Sequence, residues 1–316
     1  MNDVSCVALS GGVGGAKLAL GLSHAMDPAK LMLIANTGDD FEHLGLHISP
    51  DIDTLLYTLA GLANPATGWG RDGETWSFMD ALGQIGGETW FRLGDRDLAL
   101  HVERTRRLGG GENLGGVTDA IRRRLSIAAS IVPMSDDPVR TIVETPDGPL
   151  AFQHYFVRDQ CRPRVTGFRF EGAAAARPGD GVLDAILCAD LVVICPSNPF
   201  ISIDPILAVP GIRDALKASN AAIVAVSPIV GGRAVKGPTA KMMTELGLET
   251  TALQVARHYR GLIDGFVLDD VDGGAVDAVE RLGCKAMVTN TMMNFLSDRV
   301  WLARATIAFA AELRES

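Results

Sequence analysis

The sequence predicts an α/β fold: a mainly parallel sheet with helices on both faces and an antiparallel and helical insertion. Three observations predict it. Short β-rich runs at residues 4–9, 31–35, 191–195, 223–226 and 265–268 alternate with helix-period segments, the mark of βαβ units. Glycine-rich and polar stretches follow the runs directly, at the edge where a Rossmann-like sheet gathers its ligands. The 316 residues, 47% of them hydrophobic, suffice for a single large domain over 1–316.

Taken in order, residues 4–9 read as the first strand. Residues 16–26 read as a helix, with Leu18, Leu22, Ala25 and Met26 at helical spacing. The cluster Ser10-Gly11-Gly12-Val13-Gly14-Gly15-Ala16-Lys17 therefore lies at a strand-to-helix turn, where unpaired N–H groups and the helix dipole favour an anion. A tight turn packing helix on sheet would also use such glycines. The cluster is not a P-loop, because Lys17 is followed by Leu18 and not by Ser or Thr. Nor is it a dinucleotide fingerprint, because the sixth position counted from Gly12 is Lys17.

After the second strand, Asn36-Thr37-Gly38-Asp39-Asp40 offers side chains for sugar or base. Residues 48–54 follow, where Asp51 and Asp53 flank Ile52 just ahead of a helix-like run. Hard oxygen ligands at that spacing suit magnesium, and a helix cap would use the same residues. Residues 69–126 read as largely helical, broken at Gly109-Gly110-Gly111, a flexible loop in this reading. Within them Arg96 stands between Asp95 and Asp97, as a phosphate contact or a solvated ion pair. Ser135, Asp136 and Asp137 form an acidic turn, read as a further ligand contact or as a loop. Strands over 141–144 and 150–157 flank Pro146-Asp147-Gly148, a hairpin signal, so residues of about 65–180 read as an inserted helical and antiparallel subdomain. Ser197 and Asn198 follow the strand at 191–195 and Ser227 follows that at 223–226, so both loops converge on the same edge.

Composition narrows the function. A net charge of −9 disfavours nucleic acid and anionic membrane as partners. No apolar run approaches the roughly 20 residues that span a bilayer, and the start Met1-Asn2-Asp3 lacks the basic flank of a signal peptide; a cytoplasmic protein is expected. Five cysteines without a Cys-x-x-Cys pair argue against a disulfide framework or zinc cluster, and Cys6 and Cys195 read as buried small hydrophobes. His43 and His47 are four apart, but neighbouring glycine and proline argue against a helix that would pair them. No Gly-x-Ser-x-Gly elbow occurs.

Eight motifs in register, residues 10–15, 36–40, 49–54, 68–76, 93–97, 133–138, 196–199 and 227–229, resemble the 2-phospholactate transferases of deazaflavin coenzyme F-420 biosynthesis over nearly the whole chain. The surroundings of Trp69 and Trp76 look most like the bacterial branch. The resemblance implies a homodimeric transferase whose donor is a guanosine diphosphate ester of a three-carbon acid (phospholactate, phosphoenolpyruvate or phosphoglycerate). The acceptor would be the ribityl hydroxyl of the deazaflavin precursor Fo, GMP the leaving group and magnesium (Mg2+) the cofactor. It implies that Asp51 and Asp53 hold magnesium or the acceptor hydroxyl, with Asp53 the better candidate for the hydroxyl, and that Arg96 contacts acceptor or phosphate. It places Gly11, Gly12, Gly14, Gly15, Lys17, Asn36, Thr37, Asp40, Ser197, Asn198 and Ser227 around the substrates. The alternative is a sugar-nucleotide-binding regulatory protein of the same fold family. A nicotinamide oxidoreductase is a third reading, weakened by the failed fingerprint.

Overall fold

The computed structural model describes residues 4–315; Met1, Asn2, Asp3 and Ser316, and with them the residues read against a leader, lie outside it. Seven strands form the central sheet: β1 (Cys6–Ser10), β2 (Leu31–Ala35), β3 (Ser130–Pro133), β4 (Leu191–Ile194), β5 (Ala222–Val226), β6 (Gly265–Leu268) and β7 (Lys285–Val288). Their order is β7-β6-β5-β4-β1-β2-β3 and every pair is parallel. The order reverses between β1 and β4, which opens a crevice at their carboxyl ends.

Side chains along each strand alternate between two cores, as the pleat demands. Val7, Leu9, Ile34, Val192, Ile194, Ile223 and Phe266 face one cluster. Cys6, Ala8, Leu31, Leu33, Val193, Val224 and Val267 face the other, together with α1 (Gly12–Ala25), α2 (Pro50–Leu59) and the C-terminal helix Leu296–Glu315. Burial on both faces is why the five runs at β1, β2, β4, β5 and β6 are legible in the sequence. The two strands the sequence does not announce are the edges. β7 is largely exposed and contains Lys285, and β3 is four residues ending in Pro133, a residue that belongs at strand ends or edges. β3 lies within residues 65–180, so that span contributes a strand to the central sheet as well as its own elements.

The remainder of that span holds α3 (Ser77–Gln84), α4 (Asp95–Gly109) and α5 (Leu114–Arg124). Gly109 is the last residue of α4 and Gly110 its cap, so the glycine run terminates a helix. The expected hairpin is present but differs in extent. Arg140–Glu144 pairs antiparallel with only Leu150–Ala151, and Gly167–Glu171 supplies its other neighbour. The chain departs from the strand at Phe152 because buried Phe152 and Tyr155 are three apart, a helical spacing; His154–Arg158 accordingly forms a wide helical turn.

All five cysteines are free, with Cys6 and Cys195 buried inside the sheet. Burial raises both thiols, Cys195 to about 12, as inert core sulfurs require. No helix among the described residues is long and apolar enough to cross a membrane. His43 and His47 lie in the hairpin Phe41–His43 and Leu46–Ile48, not on a helix.

Candidate active site

The site is assembled at the β1 and β4 crevice by a lattice of side chains that bind loops to one another. Ser197 clasps the glycine turn by accepting from Gly11 N (3.2 Å) and donating to Gly11 O (2.8 Å). Gly12 has φ of +64°, which only glycine adopts without strain, and α1 starts there. Gly14 faces the carbonyl of Pro196 so closely that any Cβ would collide with it. Glycines at 12 and 14 are therefore what allow α1 to enter against the loop after β4. Gly15 sits just as closely over Ser10 and Ser197.

Asp51, at the start of α2, reaches across to this turn. Its Oδ1 accepts from Gly12 N (2.7 Å) and its Oδ2 from Asn36 Nδ2 (2.9 Å). Asn36 also donates to Ile201 O (3.2 Å) and accepts from Gly38 N (2.8 Å), so its amide is committed to holding the loops after β2 and β4. Asn198 caps the segment after it by accepting from Phe200 N (3.0 Å), and Ser227 closes a turn with Ile229. Of the expected contacts, Asn36, Ser197, Asn198 and Ser227 thus have framework partners.

The unspent polar groups are elsewhere. Thr37 Oγ1, Asp39 Oδ1 and Asp40 Oδ1 are buried without a hydrogen-bond partner. Asp40 Oδ2 accepts from Ser49 (2.8 Å) and stands 3.2 Å from His47 Nε2. Thr37 and Asp40 line a cavity of about 140 Å³ whose wall includes His47, Asn113, Ser135 and Arg140. Burial, then the charges of Asp51 and Asp40, push Asp39 well above the carboxylate range. Burial also raises Asp51 to about 6, against the pull of its Asn36 and Gly12 bonds. These carboxylates crowd one another, the Asp40 charge raising both Asp39 and Asp51.

Asp53 is placed differently from its neighbour two residues away. Both its oxygens take the guanidinium of Arg104, Oδ2 at 3.1 Å from one nitrogen and Oδ1 in close contact with the other. Arg104 is fully buried, and this bidentate pair anchors α4 to α2. Burial raises Asp53, and Arg104 opposes it. We read the pair as ionised, because a guanidinium keeps its proton and would otherwise be buried alone. His101 lies beside it, Nδ1 3.7 Å from Asp53 Oδ2 and Nε2 3.2 Å from Asp97 Oδ2, the latter out of hydrogen-bond alignment. Tyr57 donates to Asp97 Oδ1 at 2.6 Å. Sequence reading did not single out Arg104, His101 or Tyr57. Their signal is spacing: Asp97, His101 and Arg104 lie at i, i+4 and i+7 on α4, and Asp53 and Tyr57 at i and i+4 on α2.

Arg96 is exposed on the first turn of α4, where its main-chain N–H is held by Glu74 (2.8 Å). Lys17 turns toward the chain's end and donates to Met293 O (2.9 Å). The acidic turn at 135–137 has structural partners: Asp136 accepts from Asn113 and Gly115 N at the start of α5, Asp137 pairs with Arg177, and Ser135 accepts from Asp137 N.

Residues 6–292 match the profile of the family described as "2-phospho-L-lactate transferase CofD". Among curated proteins, the phosphoenolpyruvate transferase of Streptomyces griseus is 44% identical over 98% of this chain and 99% of its own. The 2-phospho-L-lactate transferase of Methanosarcina acetivorans is 39% identical over 91% and 93%. Among solved structures, a UPF0052 family protein of Bacillus halodurans superposes with a TM-score of 0.62 over 97% of this chain and 99% of that one; at 16% identity it shows the shared fold.

Proposed function

Because the chain belongs to the 2-phospho-L-lactate transferase family, we propose that it moves a phosphorylated three-carbon acid from a guanosine diphosphate ester to the ribityl hydroxyl of Fo, releasing GMP, with magnesium at the site. The observation that carries this reading is the juxtaposition of an anion-receptive glycine turn with three buried carboxylates, Asp39, Asp40 and Asp51, of which only Asp40 has an ion-pair partner among the described residues, His47. Magnesium fits there: it favours one or two carboxylates together with phosphate oxygens and water. Among the described residues no three such side chains form a ready cage, so a diphosphate would complete the coordination. Asp40 and Asp51 are the holders we favour, since Asp53 is already paired with Arg104. When bound, the ion supplies charge neutralisation on the diphosphate.

The rest is positioning. The amides of α1 that follow Gly12, whose own N–H is spent on Asp51, bind the diphosphate, and Ser197 holds the turn in shape. Each Asp53 oxygen retains a lone pair beyond its Arg104 bond, so Asp53 orients the acceptor hydroxyl from a fixed rotamer. Arg96, exposed at the rim, meets the acceptor or the transferred phosphate, and a homodimer is part of the same reading. Phosphoenolpyruvate is the donor acid to test first, because the 44% identical relative carries that name.

The test supplies purified protein with magnesium, Fo and each of the three guanylylated acids, and follows GMP release and product mass. Product from one donor is expected. No product from any, alongside tight binding of a sugar nucleotide, would replace this reading with the regulatory binding module.

A further inference from the structure

Val13, Lys17 and Gly21 are spaced i, i+4 and i+8, and so form one stripe along α1. Two distant parts of the chain close on its ends. At Val13, the Gly68 loop is so near that a Cβ on Gly68 would stand 3.1 Å from Val13 Cγ1 and 2.8 Å from Lys236 Nζ. At Gly21, the first turn of the C-terminal helix packs so that a Cβ would stand 3.2 Å from Arg299 Cβ. Lys17 lies between them, its ammonium tied to Met293 O. Lys236 is tied to Thr67 O. Both ties are to neutral carbonyls, and the guanidinium of Arg299 has no hydrogen-bond or ion-pair partner among the described residues; its Nε is buried and unsatisfied.

Three cationic residues from three separate parts of the chain therefore adjoin one stripe, and among the described residues none has a carboxylate within ion-pair distance. Asp298 is adjacent to Arg299, but it is spent on the amides of Asn294 and Phe295. The arrangement works against itself in the unliganded chain: burial and the charges of Arg299 and Lys236 depress the Lys17 ammonium, and burial lowers Arg299 against the weaker opposing pull of the Asp298 charge. Fixed, unneutralised positive charge beside an anion-receptive helix start is what an oxyanion site requires.

We propose that Lys17, Lys236 and Arg299 form a seat for an oxyanionic group of the substrate, distinct from the amide cradle at Gly12–Gly15. Lys17 is five residues beyond Gly12, about 7.5 Å along the axis at 1.5 Å per residue, so the seat takes a second anionic group of the same ligand. Only the identity of that ligand rests on the transferase reading; its two candidate groups are a diphosphate oxygen and the carboxylate-bearing end of the three-carbon acid.

Calorimetric binding of GDP, phosphoenolpyruvate and inorganic pyrophosphate to wild type, Lys236→Met and Arg299→Met, with magnesium, tests the seat. Methionine keeps the stem of each side chain and removes its charge. Each variant is expected to bind at least one probe roughly tenfold more weakly, the loss of one charge-assisted hydrogen bond. Weakening of GDP assigns the seat to phosphate; weakening of phosphoenolpyruvate alone assigns it to the acid end. Unliganded Arg299→Met is expected to melt no lower than wild type, because its removal relieves repulsion. Arg299-dependent binding of pyrophosphate by a protein that binds neither GDP nor phosphoenolpyruvate would keep the seat and sink the transferase reading. Affinities independent of Arg299 and Lys236 for all three probes would overturn the seat.

Discussion

Replacement of Arg104 by methionine isolates the electrostatic role of the pair that joins α4 to α2. Methionine retains most of the apolar stem, so the chief loss is the partner of a buried carboxylate. Breaking a buried pair from one side costs about 3–5 kcal/mol. The carboxylate has an escape, which is to take up a proton. From an ordinary value of 3.8, neutralising Asp53 at pH 7 costs about 1.4 kcal/mol for each of the intervening 3.2 pH units, roughly 4.4 kcal/mol. That sets a ceiling on the electrostatic penalty, and the ceiling falls with pH to about 1.6 kcal/mol at pH 5. Urea unfolding of wild type, Arg104→Met and Arg104→Met/Asp53→Asn at pH 5 and pH 7 measures it. The single variant is expected to lose about 3–4 kcal/mol at pH 7 and under about 2 kcal/mol at pH 5, and the double variant to recover most of the loss at pH 7. A penalty that ignores pH, or that the second substitution fails to relieve, would show that Arg104 acts through packing and not through Asp53.

Two further outcomes follow from the same geometry. Gly21→Ala would drive a Cβ into the carbonyl of Arg299; overpacking of about 1–3 kcal/mol outweighs the roughly 1 kcal/mol gained in helix propensity, and a variant as stable as wild type on urea unfolding would refute the close approach. Asp51, raised to about 6 in the fold from 3.8, keeps a proton there that the unfolded chain has lost. The metal-free protein therefore loses stability as pH climbs from about 4 to about 6, by up to roughly 3 kcal/mol. The stability gap between Asp51→Asn and wild type should widen over that window, and magnesium should stabilise wild type most above it; a gap constant with pH would contradict the crowding of carboxylates.

How much of this was legible in the sequence depends on whether a feature is local. The five buried strands declare themselves because burial on both faces demands uninterrupted apolar residues. β3 and β7 do not, since an edge strand is released from that demand. The glycine turn, Asp51 and the loops at Asn36 and Ser197 were recognisable because each follows a strand within a few residues. That Asn36 and Ser197 serve as cross-ties was not recognisable, because their partners lie 15 to 186 residues away. Arg104 was hidden for the same reason: 51 residues separate it from Asp53, and one arginine among several on an amphipathic helix looks like a solvated face until α4 is docked.

The clasp between Gly11 and Ser197 also constrains when a site can exist during synthesis. β1 is made some 185 residues before its neighbour β4, and the glycine turn that we propose binds the anion takes part of its shape from Ser197, just beyond β4. A nascent chain therefore holds the glycine turn, already met by Asp51, across 186 residues of synthesis before the Ser197 clasp can form. A ligand that needs the clasped turn would select chains in which the β1 and β4 segments have already met.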